Sequence, residues 1–161
     1  MKNRTTVERK SERELLVTRS FDAPGRIVFE AWTDPELLKR WWAPKSCEIS
    51  FISCEVDART GGTYRFVFGH PASEQPMEFF GRYIEVTPHA RLVWTNDEGG
   101  DGGEGGAVTS VTFEERGAGT LVIMQDLYPS KEALDNAIAS GSTGGFSEAF
   151  GQLDELLVGR P

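Results

Sequence analysis

Apolar positions along this chain switch between two spacings, and the switches mark out its elements. ELLVTRSF (14–21) gathers apolar and β-forming residues and reads as a strand. Ile27, Val28, Ala31 and Trp32 then recur at i, i+1, i+4 and i+5, one face of a helix. That helix starts at Ala23-Pro24 behind Asp22, since proline is tolerated in a first turn. A second short helix restarts at Thr33-Asp34-Pro35-Glu36, where Thr33 and Glu36 have capping-box spacing. Leu37 and Trp41, and Leu38 and Trp42, stand four apart on it. Ala43-Pro44 ends it, because the residue before proline avoids helical backbone.

From Cys47 onward the spacing is that of strands. CEISFISCEV (47–56) is extended. Gly61-Gly62 turns into TYRFVFG (63–69), where Tyr64, Phe66 and Phe68 alternate with Arg65 and Val67. HPASEQP (70–76) reads as a loop, MEFFGRYIEV (77–86) as a strand containing Gly81, TPHA as a turn and RLVWTN (91–96) as a strand. DEGGDGGEGG (97–106) is a low-complexity loop. AVTSVTFEER (107–116) and TLVIMQDLY (120–128) form a hairpin around Gly-Ala-Gly. Ser130 caps a short helix carrying Leu134, Ala137 and Ile138, and SGSTGG (140–145) breaks it. In FSEAFGQLDELL (146–157) Phe146, Ala149, Phe150, Leu153, Leu156 and Leu157 keep three-and-four spacing, the clearest helix of the chain.

Strands and helices are thus segregated, which predicts an α+β fold: an antiparallel sheet with helices on one face. The 161 residues suit one domain, expected over 14–158, behind a polar, flexible tail over 1–13. The tail holds Lys2, Arg4, Arg9, Lys10 and Arg13 against Glu8 and Glu12, so the body is more acidic than the net charge of −8 indicates. An acidic body repels phosphates and argues against nucleic-acid and anionic-membrane partners. No stretch has the ~20 apolar residues of a membrane span. Cys47 and Cys54, placed on one strand, stand about 23 Å apart and cannot bridge. With no apolar signal core and no cysteine framework, a cytoplasmic location is expected. A monomer or weak homodimer is expected, pairing through an exposed edge strand being the route to the latter.

A set of short motifs now falls in order: Phe21, Ala23-Pro24, Val28, Ala31-Trp32-Thr33-Asp34-Pro35-Glu36, Trp41-Trp42-Ala43-Pro44, Gly61-Gly62-Thr63-Tyr64-Arg65, Gly81-Arg82-Tyr83-Ile84-Glu85-Val86 with Pro88, Arg91-Leu92-Val93 with Thr95, Ser110-Val111-Thr112, Gly119-Thr120-Leu121, Pro129-Ser130-Lys131-Glu132 and Leu153-Asp154-Glu155-Leu156-Leu157. This series resembles the START-like superfamily (the SRPBCC group), in the branch named after the activator of heat-shock protein 90 ATPase. It covers residues 14–157. The chain departs from the pattern at Asn96 and Phe146, where the family often carries tryptophan beside its cavity. The resemblance implies a helix-grip fold, a curved antiparallel sheet wrapped around the C-terminal helix, with a hydrophobic cavity between them. A fold of this kind hosts lipid and steroid carriers, polyketide cyclases and chaperone regulators, so it leaves the activity open.

With such a cavity in view, Trp41, Tyr64, Phe66, Phe80, Trp94, Phe146 and Phe150 are the candidate wall residues, chosen by strand alternation or by the helical stripe; each serves equally as core. Gln125 is a candidate for hydrogen bonding a ligand. Glu55, Asp57, Glu78, Glu85, Asp126 and Arg82 are ionisable strand residues, any of which would suit acid–base work if turned into the cavity. Residues 100–105 satisfy G-x-G-x-x-G, but two acids and no following helix rule out a dinucleotide site. His70 and His89 fall in turns without a second ligand at metal spacing, so no metal and no cofactor are expected. Three functions remain: binding of a small apolar molecule, a cyclase- or hydrolase-like enzyme, or a chaperone-linked regulatory protein.

Overall fold

The computed structural model describes residues 5–43, 45–96, 107–139 and 146–157. Eight strands form one antiparallel sheet: β1 (Thr6–Arg9), β2 (Glu14–Phe21), β3 (Ser50–Val56), β4 (Thr63–His70), β5 (Ser73–Thr87), β6 (Arg91–Asn96), β7 (Ala107–Arg116) and β8 (Gly119–Leu127). Their order in the sheet is β1-β2-β8-β7-β6-β5-β4-β3. Among the described residues four α-helices accompany it: α1 (Gly25–Thr33), α2 (Pro35–Trp41), α3 (Lys131–Ala139) and α4 (Phe146–Leu157). The result is the expected α+β helix-grip architecture, a curved antiparallel sheet with its C-terminal helix. Among the described residues no helix is long and apolar enough to cross a membrane.

The helices α1, α2 and α3 are each fixed at their start by a side chain. The Gly25 N–H of α1 donates to the Glu115 carboxylate on β7 at 3.2 Å, placing a negative charge at a positive helix end. The α2 cap is Asp34 and not Thr33: Asp34 Oδ1 accepts from the Glu36 N–H at 2.9 Å. Pro35, which has no N–H, sits at the first helical position and makes the residue before it the cap. The Thr33 hydroxyl turns back to the Phe29 carbonyl, closing α1 instead. Ser130 caps α3 as its spacing indicates, accepting from the Ala133 N–H at 3.1 Å. Leu134 and Ala137 of α3 are buried, whereas Ile138 is exposed.

The sheet departs from the sequence reading at three places. Within the stretch read as a polar tail, Thr6–Arg9 forms β1 and pairs with β2, Val7 opposite Val17. The loop expected at 70–76 shrinks to a turn at Pro71-Ala72, because β4 runs through His70 and β5 begins at Ser73. Cys47 belongs to a 3-10 turn over Lys45–Cys47 and not to β3, so the two cysteines do not share a strand. The low-complexity segment 97–106, the break at 140–145 and the Pro44 stop lie outside the described residues.

Three motif glycines have steric reasons. Gly61 has φ +89°, and a Cβ on Gly62 would lie 2.1 Å from the Asp57 carbonyl oxygen. A Cβ on Gly81 would lie 2.0 Å from the Thr95 carbonyl oxygen of the neighbouring strand. That same oxygen accepts the Tyr64 hydroxyl at 2.7 Å, so the bare position on β5 lets β4 and β6 bond across it. Gly81→Ala is expected to lower stability by about 2–3 kcal/mol through this overlap. Urea denaturation measures it, and an unchanged midpoint would refute the close approach.

Candidate functional site

Strand register decides which side chains face the helices. Gly81 is paired with Tyr64, Phe79 with Phe66 and Met77 with Phe68, so the odd-numbered residues of this part of β5 share a face with Tyr64, Phe66 and Phe68. Tyr83 is opposite Trp94, Trp94 opposite Thr109 and Thr109 opposite Asp126. Met124 is opposite Val17 and Val122 opposite Arg19 on β2. This concave face carries α1, α2 and α4. The main chain of α4 comes near α1, α2 and β2. Over the middle of the sheet the layers meet through aromatic rings.

Those rings form a continuous array. Trp32 lies 4.9 Å from Trp41, 5.8 Å from Trp42, 6.2 Å from Trp94, 6.1 Å from Phe113 and 5.9 Å from Phe150, centroid to centroid. Trp42 continues to Phe66 at 5.5 Å, and Phe66 to Tyr64 at 5.2 Å and Phe51 at 5.5 Å. Phe150 continues to Phe146 at 6.4 Å. The array runs from rings that water hardly reaches to rings that stand partly in it. Trp32, Trp41 and Phe150 are buried; Trp42, Phe51 and Phe146 are half-buried; and Phe79, 5.6 Å from Phe68, is 38% exposed.

Six of the eight predicted site residues belong to this face: Trp41, Tyr64, Phe66, Trp94, Phe146 and Phe150. The other two do not. Phe80 pairs with Arg65 on the convex face and is 39% exposed there. Gln125 also points to the convex side, where its amide donates to Glu14 at 2.5 Å. The convex surface around Phe80 has a shallow hollow of about 490 Å³ lined also by Glu55, Arg65, Glu78 and Arg82. Arg65 bridges Glu55 and Glu78 there, so that surface is an ion-paired one. Trp32, Trp42, Phe51 and Phe79 join the concave array without having been singled out as wall residues. The spacing of Trp32 and Trp42 on their helices was the available signal for two of them.

One end of the array is polar. The Tyr64 hydroxyl donates to the Thr95 carbonyl and lies 3.4 Å from Asn96 Oδ1. Asn96 Nδ2 donates to the Ala107 carbonyl and to Thr109 Oγ1, both at 3.1 Å. Thr109 Oγ1 donates in turn to buried Asp126 Oδ1 at 2.6 Å. The asparagine standing where the resemblance leads one to expect tryptophan is therefore a link in a hydrogen-bonded chain across β4, β6, β7 and β8. Glu55, Asp57, Glu78, Glu85 and Arg82 are absent from it. Near the opposite edge, Arg19 reaches from β2 to Asp154 on α4 at 2.9 Å and to Thr5 at 3.1 Å, with its guanidinium 5.4 Å from the Phe21 ring centre.

A further set of bonds fixes α4 against the end of α2. Gln152 Nε2 donates to the Trp41 and Ala43 carbonyls at 2.9 and 3.0 Å, while its Oε1 accepts from the Lys45 N–H at 2.9 Å. Glu148 accepts from the Ser46 N–H and hydroxyl, which holds its carboxyl below the usual carboxylate range. Among the described residues two buried donors have no partner: Arg19 Nε and Trp32 Nε1. The neighbouring indole differs, since Trp41 Nε1 donates to the Ala31 carbonyl at 2.9 Å. Burial raises the Tyr83 phenol well above its ordinary value, with Cys54 and Asp57 adding to the effect. Cys54, opposite Phe66, carries a free thiol that burial pushes up to about 11.

A family model described as Activator of Hsp90 ATPase homolog 1-like protein matches residues 22–158. Among curated proteins none matches the chain. Solved structures share its fold. A Rhodobacter sphaeroides protein superposes with a TM-score of 0.86 at 24% identity, covering 98% of this chain and 99% of its own. A Chromobacterium violaceum protein gives 0.78 at 27% identity, covering 91% and 97%. An AHSA1-like protein from Aeromonas hydrophila gives 0.69 at 19% identity, covering 91% and 96%.

With its acidity weakened by burial, Cys54 exposes a thiolate fraction at pH 8 about 100-fold below that of an ordinary thiol. Iodoacetamide should therefore modify it slowly in the native protein and rapidly in urea, as followed by mass spectrometry of the peptide containing residue 54. Equal rates in the two conditions would contradict its placement on the concave face.

Proposed function

The chain belongs to the Activator of Hsp90 ATPase homolog 1-like family, and from that premise we propose that it binds a small hydrophobic molecule between the sheet and α4. The observation that supports this most is the aromatic array. Large rings standing partly in water contribute less to folding than buried ones, and a contiguous run of them marks a binding surface. Here the array continues outward through Trp42, Phe51 and Phe146 to Phe79. A surface of that kind receives an apolar guest at its lip and passes it rings of the same chemistry further in.

Binding is favoured over catalysis by the state of the charged groups Arg19 and Asp126 on the inner face. Arg19 is held by Asp154 and Thr5, and the Asp126 carboxylate by Thr109. A general acid or base must be able to reach a substrate proton, and groups committed to the fold are poorly placed to do so. No feature of the chain favours the chaperone-linked reading over a binding role.

Titration with N-phenyl-1-naphthylamine, a neutral apolar dye, tests the proposal. Saturable blue-shifted emission is expected at one dye per chain. Phe146→Ala should weaken it about tenfold, equivalent to about 1.4 kcal/mol, while Phe80→Ser on the convex face leaves it unchanged. Non-saturable emission, or weakening by Phe80→Ser alone, would overturn the concave site.

A further inference from the structure

Trp32 is 3% exposed and its indole N–H has no acceptor. An indole nitrogen only donates, so the missing partner is an oxygen or nitrogen with a lone pair. A buried donor left unmade opposes folding, and native proteins seldom keep one. The carbonyls of the three residues before Trp32 in α1 each already accept a bond. The Ala31 carbonyl takes Trp41 Nε1, the Glu30 carbonyl takes the Asp34 N–H, and the Phe29 carbonyl takes the Thr33 hydroxyl. The rings around Trp32 belong to Trp41, Trp42, Trp94, Phe113 and Phe150. Of these Trp42 is half-buried, so the Trp32 ring adjoins the partly exposed part of the array.

Resting on the binding role argued above, we infer that the guest is a neutral apolar molecule carrying one hydrogen-bond acceptor, a ketone or ester oxygen, and that Trp32 Nε1 donates to it. The net charge of −8 repels anions on approach. The inner-face guanidinium of Arg19 is neutralised by Asp154 and offers no counter-charge to a carboxylate. A single neutral donor cannot replace the hydration of a charged group, but it satisfies a carbonyl. Trp32 is thus a specificity residue: the surrounding rings accept any apolar body, and its N–H selects those with an oxygen.

Two probes of matched shape test this, 2-acetylnaphthalene and 2-isopropenylnaphthalene, in which a CH₂ group replaces the carbonyl oxygen. Each is titrated into the full chain and into Trp32→Phe. The preference for the ketone over the alkene is expected to fall about fivefold in Trp32→Phe, the discrimination one neutral hydrogen bond provides. In the ¹⁵N–¹H spectrum of the unaltered chain, the Trp32 indole signal should move downfield with the ketone and not with the alkene; this readout does not depend on the variant's folding. An unchanged preference, or an indole signal that responds alike to both probes, overturns the role of Trp32 while leaving apolar binding in place. Failure of both probes to bind the unaltered chain overturns the binding role itself, and this inference with it.

Discussion

The ring contacts around the Trp32 indole hold the layers of this protein together. Five rings from α2, the bend after it, β6, β7 and α4 meet one side chain of α1. Such pairs contribute about 0.5–1.5 kcal/mol each beyond the area they bury. The main chain of α4 approaches the sheet at β2, while over the centre the spacing between layers is set by the width of indoles and phenyl rings. Smaller residues there would let the helix settle or leave voids, and either change would move every other contact. Trp32 therefore fixes the height of the helices above the sheet as well as the interior's chemistry.

Elements with a strong period were legible to the residue. β6, β7 and α4 have the bounds that alternation and the three-and-four stripe indicate. β1 was not, since Thr-Val-Glu-Arg buries nothing and holds its place by main-chain pairing with β2. The start of β5 was hidden by its polar run and by Pro76. That proline falls where the register shifts between Phe68 and His70, an irregular part of the ladder. The capping assignment missed by one residue because Thr33 and Asp34 are both good caps, and only the position of Pro35 decides between them.

The same limits apply to the site. Gln125 lies in a nearly continuous apolar run, Leu-Val-Ile-Met, in which a strand gives no sign of its faces. Pairing of Asp126 with Thr109 and Leu15 settles the face, and pairing is not written in the strand itself. Phe79 and Phe80 present the same ambiguity, resolved by Gly81 lying opposite Tyr64. The polar chain from Tyr64 to Asp126 draws on four strands spread over more than sixty residues of sequence, so no local spacing could reveal it. The β4 part of the aromatic array was legible because Tyr64, Phe66 and Phe68 alternate cleanly there.

The two ends of the grip are secured to different degrees, and this bears on where a guest of the proposed kind enters. On the α2 side one glutamine satisfies three main-chain groups and Glu148 two groups of Ser46, so moving α4 there would strand five hydrogen-bonding groups. At the β2 edge, shifting α4 would break the partly buried Arg19–Asp154 pair. The remaining direction leads over β3, β4 and β5, where the side chains of Phe51 and Phe79 each meet Phe68 through ring contacts. Ring contacts slide and re-form at little cost compared with stranded hydrogen bonds. Entry past Phe79 and Phe51 toward Trp42 thus disturbs the fewest directional interactions, and it leads toward the donor on Trp32.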